Sequence, residues 1–116
     1  MRQDVNDRIS LTIPARTRYT GVAALVLGGI GSRLDLPYER MDDLQLAVLS
    51  VIESGGDEEI TVEVDAAAER VSVALGPLAT GSGSDQSLAR VLHPLVDSFE
   101  SVRRNGREWL ELQLTR

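Results

Sequence analysis

Apolar and polar residues alternate with period two over Arg8-Ile-Ser-Leu-Thr-Ile13, which puts Ile9, Leu11 and Ile13 on one face of a strand ended by Pro14. Thr17 or Thr20 then opens a helix to about Leu34, with an expected apolar stripe of Val22, Leu25, Val26, Ile30 and Leu34. Gly28, Gly29 and Gly31 each weaken that helix by roughly 1 kcal/mol relative to alanine, so their expected use is close packing against a neighbour. A second helix starts at Pro37 with Asp42 and Asp43 near its positive end. It carries Leu44, Ala47, Val48, Val51 and Ile52 at helical spacing and stops at Gly55-Gly56.

Period two returns in Ile60–Val64 and Val71–Leu75, predicting an antiparallel hairpin, with the acidic run Asp57-Glu58-Glu59 in a turn before it. The stretch from Gly76 to Ser84 reads as a flexible loop. Asp85 or Ser87 can cap a third helix bearing Leu88, Val91, Leu92 and Leu95, with Pro94 near its end. Phe99–Arg103 is a further strand. Asn105-Gly106 is a strong signal for a tight hairpin turn, and Leu110, Leu112 and Leu114 alternate along the last strand. The order is β-α-α-β-β-α-β-β without internal repeats. It predicts an α+β two-layer sandwich, a mostly antiparallel sheet with helices on one face, formed by residues 1–116 as one unit with a flexible tail at 1–7.

Composition narrows the chemistry. The 116 residues carry a net charge of −6, and 42% are hydrophobic, a folding composition without the clustered positive charge that phosphate backbones or anionic membranes require. All 12 basic residues are arginine, so there is no lysine for Schiff-base chemistry or a phosphate-binding P-loop. Without cysteine, thiol catalysis, disulfides and thiolate metal sites are excluded. The longest apolar stretch, Val22 to Ile30, is too short to span a bilayer, and Met1–Ser10 lacks the apolar core of a signal peptide. A cytoplasmic protein is expected.

His93, the sole histidine, has only Asp97 near it at helical spacing and reads as a helix-end residue. Gly28-Gly-Ile-Gly31 lies late in a helix, where a dinucleotide fingerprint would need a preceding strand. The Gly76–Gly83 loop has the amides to wrap a phosphate, but no lysine or nearby aspartate completes a nucleotide site, and a connector is the simpler reading. Asp57-Glu58-Glu59 are consecutive, unlike the spaced ligands of a calcium loop, and no serine sits in a nucleophile-elbow pattern.

A strand ending in Ile13-Pro14-Ala15, the helix from Tyr19 to Leu34, and Met41-Asp-Asp-Leu-Gln-Leu-Ala-Val48 together resemble the anti-sigma-factor serine kinases. Those kinases belong to the GHKL ATPase superfamily, whose histidine-kinase-like Bergerat fold has this element order. The resemblance runs from Ile9 to Leu114 and is sharpest over Asp42–Val48. It implies ATP chemistry resting on motifs that this chain lacks. The family's glutamate and magnesium-binding asparagine on the second helix match Ser50 and Ser54, and a serine hydroxyl cannot replace a general base. The adenine-reading aspartate falls at Leu75 or Gly76, the second glycine box at Ser87-Leu88-Ala89, and the family's long lid becomes the brief Gly76–Ser87. The resemblance therefore implies a reduced fold that acts without nucleotide, cofactor or metal. The expected partner is a sigma factor, an antagonist with a sulfate-transporter-type regulatory domain, or a second copy. The family's use of the first helix and its preceding loop in such contacts points to Arg16, Arg18 and Tyr19. The alternative is an active ATP-binding kinase with divergent motifs.

Overall fold

The protein is described by a computed structural model covering residues 7–15, 19–33 and 36–115. Strand β1 (Asp7–Pro14) leads to helices α1 (Thr20–Arg33) and α2 (Tyr38–Gly55), then to the hairpin β2 (Gly56–Ala66) and β3 (Arg70–Leu78). A single turn at Ser82–Ser84 precedes α3 (Gln86–Leu92), and β4 (Ser98–Arg104) and β5 (Arg107–Thr115) close the chain. The five strands form one antiparallel sheet in the order β1-β2-β3-β5-β4. The alternation seen in the sequence decides its inner face. Ile13, Ile60, Val62, Val64, Val71, Val73, Leu75, Leu110, Leu112 and Leu114 are buried beneath the helices, giving the expected two-layer α+β sandwich.

Helix α2 buries the five residues its spacing marked, Leu44, Ala47, Val48, Val51 and Ile52. Its first turn carries Glu39, so Asp42 and Asp43 lie further in than expected, and Asp43 pairs with Arg40 at 3.7 Å. Asp85 is the cap of α3, accepting from the N–H groups of Ser87 and Leu88 at 2.8 and 3.4 Å. Asn105 (φ 52°) and Gly106 (φ 75°) take the left-handed conformation that the two-residue turn demands.

Four expectations are corrected. The stripe of α1 consists of Ala23, Leu27 and Ile30 with Val26 half-buried against the core, so Val26 and Ile30 lie where the spacing put them, whereas Val22 and Leu25 face outward and Leu34 lies outside the described residues. A helix apolar on nearly every side cannot be oriented by its periodicity, and here glycine orients it. A Cβ at Gly31 would lie 2.6 Å from Met41 Sδ, and one at Gly28 would lie 3.2 Å from Gln45 Nε2. These notches turn the glycine side toward α2, where Gln45 Nε2 also donates to the Ala24 carbonyl at 2.8 Å. Gly29 meets no neighbour and plays no part in that contact.

The second correction concerns Asp57-Glu58-Glu59, which belong to strand β2 rather than to a turn. Glu59 faces Pro14 of β1 in register, and just past β1 the Ala15 N–H donates to the Glu58 carbonyl at 3.0 Å. The third is that Gly76-Pro77-Leu78 are strand, not loop. Leu78 is buried between partners at Gly56 and Glu108, and this anchor carries β3 past the irregular Gly76–Pro77 step, whose peptide is cis. Asp7, placed in the tail by the sequence, is the first residue of β1 and pairs with Ala66.

Candidate functional site

The positions that the sequence resemblance expects at nucleotide motifs, Ser50, Ser54, Leu75, Gly76 and Ser87, lie on α2, β3 and α3. Ser50 is half-buried, and its hydroxyl donates to the Leu46 carbonyl one turn back at 2.7 Å, so it is engaged by its own helix. Ser54 is exposed one turn further on, and Glu53 beside it is exposed as well. Leu75 is buried within β3, between Val62 and Leu110. Gly76 presents the opposite face of the sheet, where the Trp109 indole lies so close that no Cβ fits. A carboxylate at Leu75 would enter the apolar core, and one at Gly76 would collide with the indole. Ser87 is exposed in the first turn of α3, and its N–H is taken by Asp85. These positions thus present hydroxyls and hydrocarbon, which can neither deprotonate a hydroxyl nucleophile nor offer magnesium a charged ligand. No three His, Cys, Asp or Glu side chains among the described residues stand together as metal ligands.

Of the residues singled out for partner contact, Arg16 and Arg18 lie outside the described residues. Tyr19 stands immediately before α1, half-buried against the core. Beyond it, α1 presents Val22, 45% exposed, and Leu25, 78% exposed. From Gly21 to Ser32 the helix sequence contains no ionisable residue. Below it, Ile9 and Leu11 of β1 and Val26, each half-buried, border an apolar crevice between the helix and the sheet edge. Two exposed apolar side chains on α2, Tyr38 and Leu46, escaped the sequence reading. The signal was present for α1: an apolar helix with no charged side to face water.

The other face of the sheet is polar and pairs internally. The Arg104 guanidinium bonds Glu63 at 2.9 Å, lies 3.6 Å from Glu111 and stacks on Trp109 with 4.4 Å to the ring centroid. Its hydrogen bond to Glu63, followed by the charges of Glu63 and Glu111, raises its already high pKa. Arg8 bonds Asp65 at 3.1 Å, and the Thr12 and Thr61 hydroxyls meet at 2.7 Å. Together with Ser72, Ala74 and Gln113, several of these groups line a shallow cleft of about 240 Å³.

His93 ends α3, exposed, with its ring edge-on to Phe99 at 5.4 Å between centroids. Asp97 is engaged elsewhere: it accepts from the Thr115 hydroxyl at 2.7 Å and from Arg40 at 3.3 Å. The Thr115 hydroxyl and N–H, then Arg40, lower its pKa.

The arrangement defines a small α+β sandwich with one helix free of ionisable residues from Gly21 to Ser32. In sequence, the chain is similar to proteins called serine-protein kinase RsbW. The relative from Listeria monocytogenes (strain F2365) is 37% identical over 67 residues, which cover 51% of this chain and 43% of that protein. That from Listeria innocua is 39% identical over the same extent, and that from Bacillus subtilis 38% over 42 residues, 36% of this chain and 26% of the relative. The similarity supports a place near the RsbW kinases, and the matched part spans less than half of the relatives' own length. No protein-family model matches the chain.

Proposed function

We propose that the chain is a regulatory protein of the anti-sigma kinase type that works by occupying a partner protein and hydrolyses no ATP. The observation carrying the proposal is the contrast between its nucleotide positions, filled by Ser50, Ser54, Leu75 and Ser87, and the apolar outer face of α1. A helix carrying exposed Val22 and Leu25 without a charge beside them gains by being covered, since each side chain removed from water contributes on the order of 1 kcal/mol or more. The partner is a sigma factor or the antagonist that competes for it, docked on α1 and the segment before it. Arg16, Arg18 and Tyr19 supply the polar and aromatic contacts at that border. A second copy of the chain is a further occupant of the same helix, and the cytoplasm is where such partners are found. No helix among the described residues is long and apolar enough to cross a membrane.

A second reading has its own support: the relatives carry the name serine-protein kinase, so a working kinase with altered motifs remains the competitor. Purified sigma factors and antagonist domains from the same genome, titrated into the chain with and without ATP and magnesium, separate the two. The proposal expects ATP-independent binding that Leu25→Arg, or charge reversal at Arg16 and Arg18, weakens at unchanged melting temperature. Phosphate transfer to a serine of a partner would establish the kinase reading instead.

A further inference from the structure

One side chain ties down the connector between β3 and α3. Gly81, at φ 92°, turns the backbone so that its own N–H and that of Gly83 converge on the carboxylate of Glu108, near the start of β5. The Gly81 N–H reaches Oε1 at 2.9 Å, and Gly83 donates to Oε2. The Ser101 hydroxyl on β4 donates to the same Oε2 at 3.4 Å. Gly83 is seated so tightly that a Cβ there would come within 2.6 Å of both Ser101 and Glu108. Past the turn, Asp85 caps α3, which is anchored through buried Leu88 and Leu92. The connector therefore has an apolar anchor at each end, Leu78 and Leu88, and between them one carboxylate, that of Glu108, fastening it to the sheet.

We propose that Glu108 is a latch: its carboxylate holds Ala79–Asp85 against the β4–β5 hairpin, and removing its charge frees that segment as a unit while the sheet stays intact. The device goes beyond the proposed function and does not depend on it. Two backbone donors meeting one carboxylate form charge-assisted bonds, about twice as strong as neutral ones. Nothing apolar in Ala79–Asp85 is buried to hold the segment if they are lost. The groups facing the carboxylate are the Gly81 and Gly83 amides from the connector, Ser101 and the cationic Arg103 from β4, and apolar Leu78 opposite it on β3. On its own strand Arg107 precedes it. The Gly81 N–H, then that of Gly83, depress its pKa, which favours the charged, bonded form.

Amide hydrogen exchange of the full chain, resolved by residue at neutral pH, tests the device. In Glu108→Ala, exchange at Gly81 and Gly83 should accelerate about 10- to 100-fold, the loss expected for hydrogen bonds to a charged acceptor. Amides of Val73 and Leu112 should keep their wild-type protection. Glu108→Gln, which retains an acceptor of the same size, should fall between. Unchanged exchange at Gly81 and Gly83, or acceleration spread equally over β3 and β5, would overturn the proposal. Wild-type protein gives an independent reading should the variants fold poorly. On acidification below the ordinary carboxylate range, Gly81 and Gly83 should lose protection before β3 and β5, and simultaneous loss would also overturn it.

Discussion

The outer face of α1 and the open face of the sheet both look away from the core, yet they meet water in opposite ways. On the sheet, Arg104 is held by Glu63 and Glu111 and stacked on Trp109, Arg8 by Asp65, and Thr12 by Thr61. Covering such a face with a partner means desolvating groups already paired, with little net gain. On α1, Val22 and Leu25 stand in water with no ionisable neighbour along the helix. Covering them strips water from hydrocarbon and breaks no bond. In a chain of net charge −6, α1 from Gly21 to Ser32 carries no charge at all, as a docking surface does.

The comparison breaks first if the sheet is not the rigid support it is taken to be. Leu112, fully buried beneath the helices, sets the scale: Leu112→Ala should cost roughly 2–5 kcal/mol in chemical denaturation. A loss near zero would place the sheet the other way round. Gly76→Ala should cost about 1–3 kcal/mol by pushing on the Trp109 indole from below. If that substitution is neutral, the indole does not lie against Gly76 and the open face is looser than described. Arg104→Ala is expected to cost about 1 kcal/mol or less by the same assay, because its ion pairs are a third or more exposed and screened while its stacking remains modest. Leu25→Arg should sit within about 0.5 kcal/mol of wild type in stability while weakening partner binding. A large loss of stability would show that Leu25 is covered within the monomer.

Acid separates two fastenings from the rest. The pKa values of Asp97 and Glu108 are both lowered on folding, so the stability they contribute is present above the unfolded carboxylate range and disappears as pH falls through their folded values. Melting temperature measured against pH should therefore decline on the acid side, and Asp97→Asn should flatten part of that decline. A profile identical to wild type in the variant would remove Asp97 from the account.

How much of this was legible depended on whether a local pattern or a tertiary contact decided the outcome. Strands β4 and β5, their Asn105-Gly106 turn and the inner face of α2 followed from alternation, positive-φ chemistry and helical spacing. The rotation of α1 did not, because nearly every position is apolar and the notch at Gly31 for Met41 is a long-range fit. The extension of β3 to Leu78 also escaped, since Gly76 and Pro77 carry loop chemistry and only burial of Leu78 overrides it. At the candidate site, the serines at 50, 54 and 87 were readable by matching positions in sequence. The crowding of Gly76 by Trp109, a contact between β3 and β5 across 33 positions, was not.

Titration of ATP with magnesium into the purified chain by calorimetry separates the nucleotide-free reading from the kinase one. No saturable heat is expected at micromolar concentrations, because Ser50, Ser54 and Leu75 provide neither a charged magnesium ligand nor an acceptor for adenine. Two missing charge-assisted hydrogen bonds, each worth roughly 1.5–3 kcal/mol, weaken a micromolar site by about 10²- to 10⁴-fold, into the range from a few tenths of a millimolar to tens of millimolar. Saturable binding at low micromolar ATP would contradict the account and return the chain to the working kinases.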